Sequence, residues 1–215
     1  MENNENGNSD QNEIKIILIG ETAVGKTNLI NVFFGFGFQH GVETTYTSYC
    51  FDGEYNYKGK NYKYSIWDTA GQEKFRSLNR LFIRDSKIIL VVYSIDFRHS
   101  FEEVDFWINY VKENETSDRY IMALVANKSD LVENQVVMDD EGQNLANKYG
   151  IEFSITSALK NGETFKEFIN HLIEKYIDTY LIEGQSKNVN EKTNNIKINS
   201  NKDKNDEKKK CCSKN

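Results

Sequence analysis

Between residues 13 and 182 the chain alternates short apolar runs with stretches of helical period. Ile14–Ile19 predicts a strand, and Lys26–Phe33 opens a helix. Tyr46–Tyr57 and Tyr62–Trp67 read as two strands meeting near Lys58-Gly59-Lys60, a hairpin. Lys87–Tyr93 contains Ile88-Ile89-Leu90-Val91-Val92, a continuous run suited to a strand buried on both faces. Ser100 and Glu103 form a capping-box spacing ahead of Phe101, Val104, Trp107, Ile108 and Val111, which share one helical face. Tyr120–Ala126 predicts a second buried strand. Asp139–Tyr149 predicts a helix stopped at Gly150, and Glu152–Ile155 a short strand. In Glu163–Ile182, Phe165, Phe168, Ile169, Leu172, Ile173, Tyr176 and Ile177 recur at core spacing for a last helix. Strands alternating with helices imply an α/β fold: a mostly parallel sheet covered on both sides, with the hairpin adding an antiparallel edge.

The two ends depart from this pattern. Residues 1–12 hold no apolar side chain after Met1 and read as a disordered arm. Residues 183–215 are rich in Asn and Lys, with Val189, Ile196 and Ile198 scattered among them. That composition cannot offset the entropy of ordering, so a disordered tail is expected. The whole chain of 215 residues carries 27 Lys+Arg against 33 Asp+Glu, a net charge of −6, which argues against a nucleic-acid binder. The average hides two unlike parts, because the tail holds nine Lys against five acids. Three cysteines are too few for a secreted disulfide scaffold and point to a reducing compartment. No basic-then-apolar leader and no apolar run long enough to span a membrane is present, so any membrane attachment is expected to use another device.

Gly20-Glu21-Thr22-Ala23-Val24-Gly25-Lys26-Thr27 matches G-x-x-x-x-G-K-[ST], directly after a strand and before a helix. Its glycines allow backbone N–H groups to turn inward on phosphate oxygens, and the helix N-terminus adds positive potential. Lys26 is expected to reach the β- and γ-phosphates, and the Thr27 hydroxyl to ligate Mg²⁺. Asp68-Thr69-Ala70-Gly71-Gln72 follows the strand ending at Trp67. A carboxylate there can hold the Mg²⁺ shell, Gly71 can bring its N–H to the γ-phosphate, and Gln72 can orient an attacking water. Asn127-Lys128-Ser129-Asp130 follows the strand ending at Ala126. A carboxylate accepts two hydrogen bonds from N1–H and the N2 amino group of guanine, a donor pair that adenine lacks. Asp130 would therefore select GTP over ATP. Ser157-Ala158-Leu159 follows the next strand and could offer a backbone N–H to guanine O6.

These four stretches, in this order, resemble the Ras superfamily of small GTPases. Trp67-Asp68-Thr69-Ala70-Gly71-Gln72-Glu73-Lys74-Phe75 and the neighbouring Cys211 and Cys212 are similar to the Rab branch. The resemblance covers about residues 13–182 and the extreme C-terminus. It implies a P-loop NTPase fold, with a six-stranded sheet over 13–182 and a hypervariable tail over 183–215. It places Thr45 at the family's threonine that closes over Mg²⁺ and the γ-phosphate, and Phe38 where an aromatic packs against guanine. The implied nucleotide contacts are Thr22, Ala23, Val24, Gly25, Lys26, Thr27, Asn28, Phe38, Thr45, Gly71, Asn127, Lys128, Asp130, Ser157, Ala158 and Leu159. Lys26, Thr45 and Gln72 are the implied catalytic residues, and Thr27, Thr45 and Asp68 the metal ligands.

The activity implied is Mg²⁺-dependent, slow hydrolysis of GTP, with no arginine finger assignable in cis. Two switch segments, about 38–45 and about 71–84, would respond to the γ-phosphate. The competing reading is a nucleotide-dependent interaction module with little useful turnover. Thr22 favours it by crowding the γ-phosphate with a β-branched side chain. Thr45 is followed by Tyr46-Thr47-Ser48-Tyr49-Cys50 where Rab proteins carry a sequence like Ile-Gly-Val-Asp-Phe. At the other end Lys208-Lys209-Lys210-Cys211-Cys212 joins a basic cluster to two thiols, a poor match to Cys-a-a-X but similar to doubly geranylgeranylated Rab tails. Two lipid chains with a polybasic patch anchor stably where one does not. The resemblance implies a cytoplasmic monomer anchored on the cytoplasmic face of an intracellular membrane and acting in vesicle traffic. It implies an exchange factor, a GTPase-activating protein, a dissociation inhibitor or escort protein, and effectors as partners.

Overall fold

A computed structural model describes residues 13–42, 49–69 and 76–182, the side chains of 76–79 excepted. It divides into two compact units, Met1–Glu174 and Lys175–Asn215. In chain order the elements are β1 (Ile14–Ile19), α1 (Lys26–Phe33), β2 (Tyr49–Tyr57), β3 (Lys60–Asp68), α2 (Arg76–Ile83), β4 (Ile88–Ser94) and α3 (Arg98–Glu102). They continue with α4 (Val104–Asn114), β5 (Ile121–Asn127), α5 (Asp139–Tyr149), β6 (Glu152–Ile155) and α6 (Gly162–Tyr176). A 3₁₀ turn at Val132–Asn134 follows β5, and π-helical Ile177–Ile182 follows α6.

The sheet order is β2-β3-β1-β4-β5-β6. Every neighbouring pair is parallel except β2 with β3. The hairpin closes through Lys58 and Gly59, both at positive φ (50° and 77°), the two-residue turn whose twist suits flanking strands. Period-2 alternation sends β1, β4 and β5 side chains to two buried faces. On one face Ile17, Ile19, Ile89, Val91, Leu124 and Ala126 pack with Val104, Trp107, Ile108 and Val111 of α4, Ile83 of α2 and Ala146 of α5. On the other, Ile16, Leu18, Leu90, Val92, Ala123 and Val125 are equally buried. The helices α1 and α6 meet there, with the Phe33 and Phe165 rings edge to face at 6.4 Å.

Three local expectations are corrected. Ser100 caps no helix start: it lies within α3, and its hydroxyl accepts the Ser94 N–H (3.0 Å) and donates to Phe97 O (2.6 Å). Ser100 thus ties the end of β4 to the next helix, and the predicted single helix is split at Glu103. The last helix changes from α to π winding after Tyr176. Helix α2 was not expected at all, because Arg76–Ile83 mixes four polar with four apolar positions too briefly for its period to stand out. The predicted start of β2 at 46–48 lies outside the described residues.

The parallel strands end on one side, and the loops that follow them gather there. Leu18 is in register with Asp68, so the loop after β1 and the carboxylate ending β3 emerge side by side. Asn127 ends β5, and residues 156–159 follow β6. Ligands of open α/β sheets bind beyond these carboxyl ends.

Candidate functional site

A cavity of about 400 Å³ opens at this edge. Residues Thr22, Ala23, Gly25, Lys26, Thr27 and Asn28 line one end, and Asn127, Lys128, Asp130, Leu131, Ala158 and Leu159 the other. Phe38–Val42 and Thr69 complete the wall.

The glycine loop is shaped by two close approaches. Gly20 (φ 139°) passes so near β4 that a Cβ would lie 2.1 Å from Val92 O. Gly25 (φ 94°) would place a Cβ 2.5 Å from Asn127 Nδ2, so the loop and the end of β5 touch at this point. Ala23 takes a left-handed φ of 63°. Lys26 is buried, and its ammonium donates to Gly20 O (2.9 Å) and Glu21 O (2.8 Å). Burial pulls its pKa down to about 8 from an ordinary 10.5, although the charges of Asp68 and Glu21 oppose that shift. Beside it the Thr27 hydroxyl donates to Asp68 Oδ2 at 2.8 Å, and Thr69 donates to Leu18 O at 2.6 Å.

The opposite end is braced by side chains distant in sequence. Asn127 donates through Nδ2 to Val24 O (2.8 Å) and accepts through Oδ1 from the Ala158 N–H (3.3 Å). It thereby links the loops after β1, β5 and β6. The Ser157 hydroxyl donates to Asp130 and accepts the Lys160 N–H (3.0 Å). Lys128, at a left-handed φ of 63°, sets its ammonium 3.4 Å from Asp96. The Phe38 ring meets His40 edge to face at 5.0 Å. Their loop is pinned to α1 because Asn28 Nδ2 donates to Gln39 O (3.0 Å) and Gln39 N–H donates to Asn28 Oδ1 (2.9 Å).

The predicted residues are therefore brought together, with two distinctions. Val24 and Ser157 stand behind the wall: Val24 is buried and offers its carbonyl to Asn127, and Ser157 holds Asp130. Thr45, Gly71, Gln72, Cys211 and Cys212 lie outside the described residues. Gln39, His40, Gly41, Val42, Thr69 and Leu131 line the cavity without having been named as contacts, although 39–42 fall in the first expected switch segment. Thr69 lies inside a motif and Leu131 adjoins one, so both could have been inferred; residues 39–42 were expected only as part of a switch segment.

The donor set can be read chemically. A buried ammonium and a run of loop N–H groups suit a polyanion. Hydroxyl and carboxylate oxygens side by side suit a hard divalent cation, whose other ligands would come from phosphate and water. A carboxylate held by Ser157 suits a pair of N–H donors on a flat ring.

The family model described as Ras family matches residues 15–178. Among curated proteins the chain is similar to Ras-related protein SEC4 of Saccharomyces cerevisiae, 35% identical over 210 residues (96% of this chain, 94% of that protein). It is also similar to Ras-related protein RGP2 of Oryza sativa subsp. japonica, 35% identical over 162 residues (75% and 74%), and to Ras-related protein Rab2BV of Beta vulgaris, 36% over 162 residues (75% of each).

Proposed function

The chain belongs to the Ras family of small GTPases, and from that premise we propose that it is a Rab-type switch, anchored to a membrane by lipid and acting in vesicle traffic. One observation carries the reading: a single cavity with a phosphate-type loop at one end and the Asn127–Asp130 constellation at the other. In this reading the loop N–H groups and Lys26 hold the β- and γ-phosphates and stabilise the charge that develops as water attacks the γ-phosphorus. To serve, Lys26 exchanges the carbonyls of Gly20 and Glu21 for phosphate oxygens. Asp130 accepts the N1–H and N2 donors of guanine, held in line by Ser157. Ala158 N–H would exchange its 3.3 Å bond to Asn127 Oδ1 for guanine O6. Phe38 covers the ring, on a loop fixed by Asn28. Thr27 and Asp68, with Thr45, would hold Mg²⁺, which neutralises phosphate charge when bound. Gln72 orients the attacking water.

The match to SEC4 covers 96% of the chain, so it extends beyond residue 182, and Rab2BV carries the Rab name. Both support the branch assignment. Among the described residues no helix is long and apolar enough to cross a membrane. Anchoring is assigned to prenylated Cys211 and Cys212 beside Lys208–Lys210, on the cytoplasmic face of an intracellular membrane. An exchange factor, a GTPase-activating protein, a dissociation inhibitor or escort protein and effectors would then act on the monomer.

Thr22 lines the cavity and favours the second reading, a module that holds nucleotide with little turnover. Single-turnover GTP hydrolysis separates the two. The switch reading expects Gln72→Leu to be slower than wild type, with and without an activating partner; equal rates in both conditions contradict it.

A further inference from the structure

Exposed apolar side chains gather at one place outside the cavity lining and outside both expected switch segments. Among the described residues, Phe97 (40% exposed), Val136 (43%) and Met138 (52%) lie on two segments that the fold clasps together. Ile95 O accepts the N–H groups of both Val136 (2.8 Å) and Val137 (3.1 Å), which sets Val136 beside the chain two residues short of Phe97. Glu141 accepts from both terminal nitrogens of the Arg98 guanidinium (2.7 and 3.1 Å) and from the Met138 N–H (2.9 Å), which joins Met138 to the neighbour of Phe97. Val132, also exposed, opens the same loop. The N–H groups of residues 136–138 are thus all bonded, and Gln135 Nε2 covers Val137 O (2.9 Å), so an added strand would find few backbone partners. The margin is acidic. Over residues 95–103 and 131–141 Arg98 is the sole Lys or Arg, and Glu141 already holds it. Glu102, Glu133, Asp139 and Asp140 are all exposed.

We propose that this patch docks a partner protein through an amphipathic helix whose apolar face is flanked by Lys or Arg. A helix brings a backbone already satisfied within itself and offers side chains alone, which is what this surface can accept. Phe97 and Met138 supply the apolar contact, one as an aromatic ring and the other as an adaptable thioether. The acids around them complement the basic flanks. Two other occupants fit worse. A second copy in isologous pairing would turn the same acids toward each other. An anionic membrane surface would be repelled by them.

The test uses the full-length protein and a labelled peptide of about fourteen residues, about four helical turns, built of Leu and Lys with the leucines on one helical face. Its control has the same composition with the leucines spread around the helix. Fluorescence anisotropy is expected to detect binding of the first peptide and not of the control. Phe97→Ala is expected to weaken that binding about tenfold, and Val136→Ser with Met138→Ser by at least as much. Glu133→Lys with Asp140→Lys is expected to transfer binding to the Leu and Glu version of the peptide, so a second variant remains if an apolar one folds poorly. Phe36→Ala, at an exposed ring elsewhere, is expected to leave binding unchanged. Cooperative thermal unfolding confirms that each variant is folded. Equal binding of the two peptides, or of neither, overturns the proposal, as does indifference to Phe97→Ala and the charge reversal. A loss in Phe36→Ala matching that in Phe97→Ala also overturns it, since the peptide then follows exposed rings in general. Self-association of wild type lost in Phe97→Ala does so by making a second copy the occupant. Binding to phosphatidylserine-containing vesicles that Phe97→Ala removes does so by making the surface lipid-facing.

Discussion

At one end of the cavity Lys26 bonds carbonyls of its own loop, within six residues along the chain. At the other, Asn127 reaches back 103 positions to Val24 and across to Ala158, 31 positions on. In the proposed reading Lys26 must release its loop carbonyls when phosphate arrives, and burial holds its pKa near 8. The Asn127–Val24 and Ser157–Asp130 bonds in that reading stay in place when the base binds. The phosphate end thus stores an unfavourable charge that ligand relieves, whereas the base end is organised before ligand arrives. Preorganisation favours discrimination, because the wrong base leaves fixed polar groups unsatisfied. A buried, convertible charge favours sensitivity to the presence of phosphate.

The two ends meet at Gly25, and the strongest way to break the distinction is there and at Gly20. Gly20→Ala forces a Cβ to 2.1 Å from Val92 O at a left-handed φ. It should cost about 3 kcal/mol or more in stability, read by denaturant unfolding. Gly25→Ala pushes on Asn127 and should loosen both ends together, weakening nucleotide affinity while the sheet stays folded. Next in size, Lys26→Met should lower affinity for GDP and GTP on the order of 100-fold, since charge-assisted bonds to phosphate are lost. The same change should leave the ratio of GTP to ATP affinity intact, which separates the two ends. Ser157→Ala should have the smallest effect, about 1 kcal/mol off guanine-nucleotide affinity, because Asp130 remains but is less firmly aimed.

A pH experiment sharpens the contrast without changing the base end. In the ligand-free fold the Lys26 pKa is near 8, below its unfolded value of 10.5. Between those values the unfolded chain binds more protons than the fold does, so this group makes stability rise with pH through that window. Below about 8 the penalty of the buried charge is fully present. Thermal unfolding of wild type and Lys26→Met from pH 7.5 to 10.5 should show the two converge as pH rises. Nucleotide binding at pH 9 should take up protons in wild type and take up fewer in the variant, measured by calorimetry in buffers of different ionisation enthalpy.

The same contrast explains what could be read from the chain alone. The phosphate end is contiguous: eight residues at fixed spacing between a strand and a helix specify it. The sheet was legible because Ile88–Val92 and Tyr120–Ala126 are apolar on both faces. The braces of the base end join residues up to 103 positions apart, and such pairings leave no local pattern. Residues 39–42 were legible only as part of a switch segment, because the loop's place depends on Asn28, whose amide could equally have faced solvent. Ser100 misled because its hydroxyl, suited to a helix cap, is used by Ser94 instead.

Base selection is where the account is most exposed. Nucleotide affinities of wild type and Asp130→Asn for GTP, ATP and xanthosine triphosphate test it directly. Replacing one carboxylate oxygen by an amide nitrogen removes an acceptor for the guanine N2 amino group and creates a donor suited to the xanthine C2 carbonyl. The account predicts that wild type prefers GTP, that the variant loses GTP affinity on the order of 100-fold, and that xanthosine triphosphate gains. Unchanged affinities for all three nucleotides would contradict it.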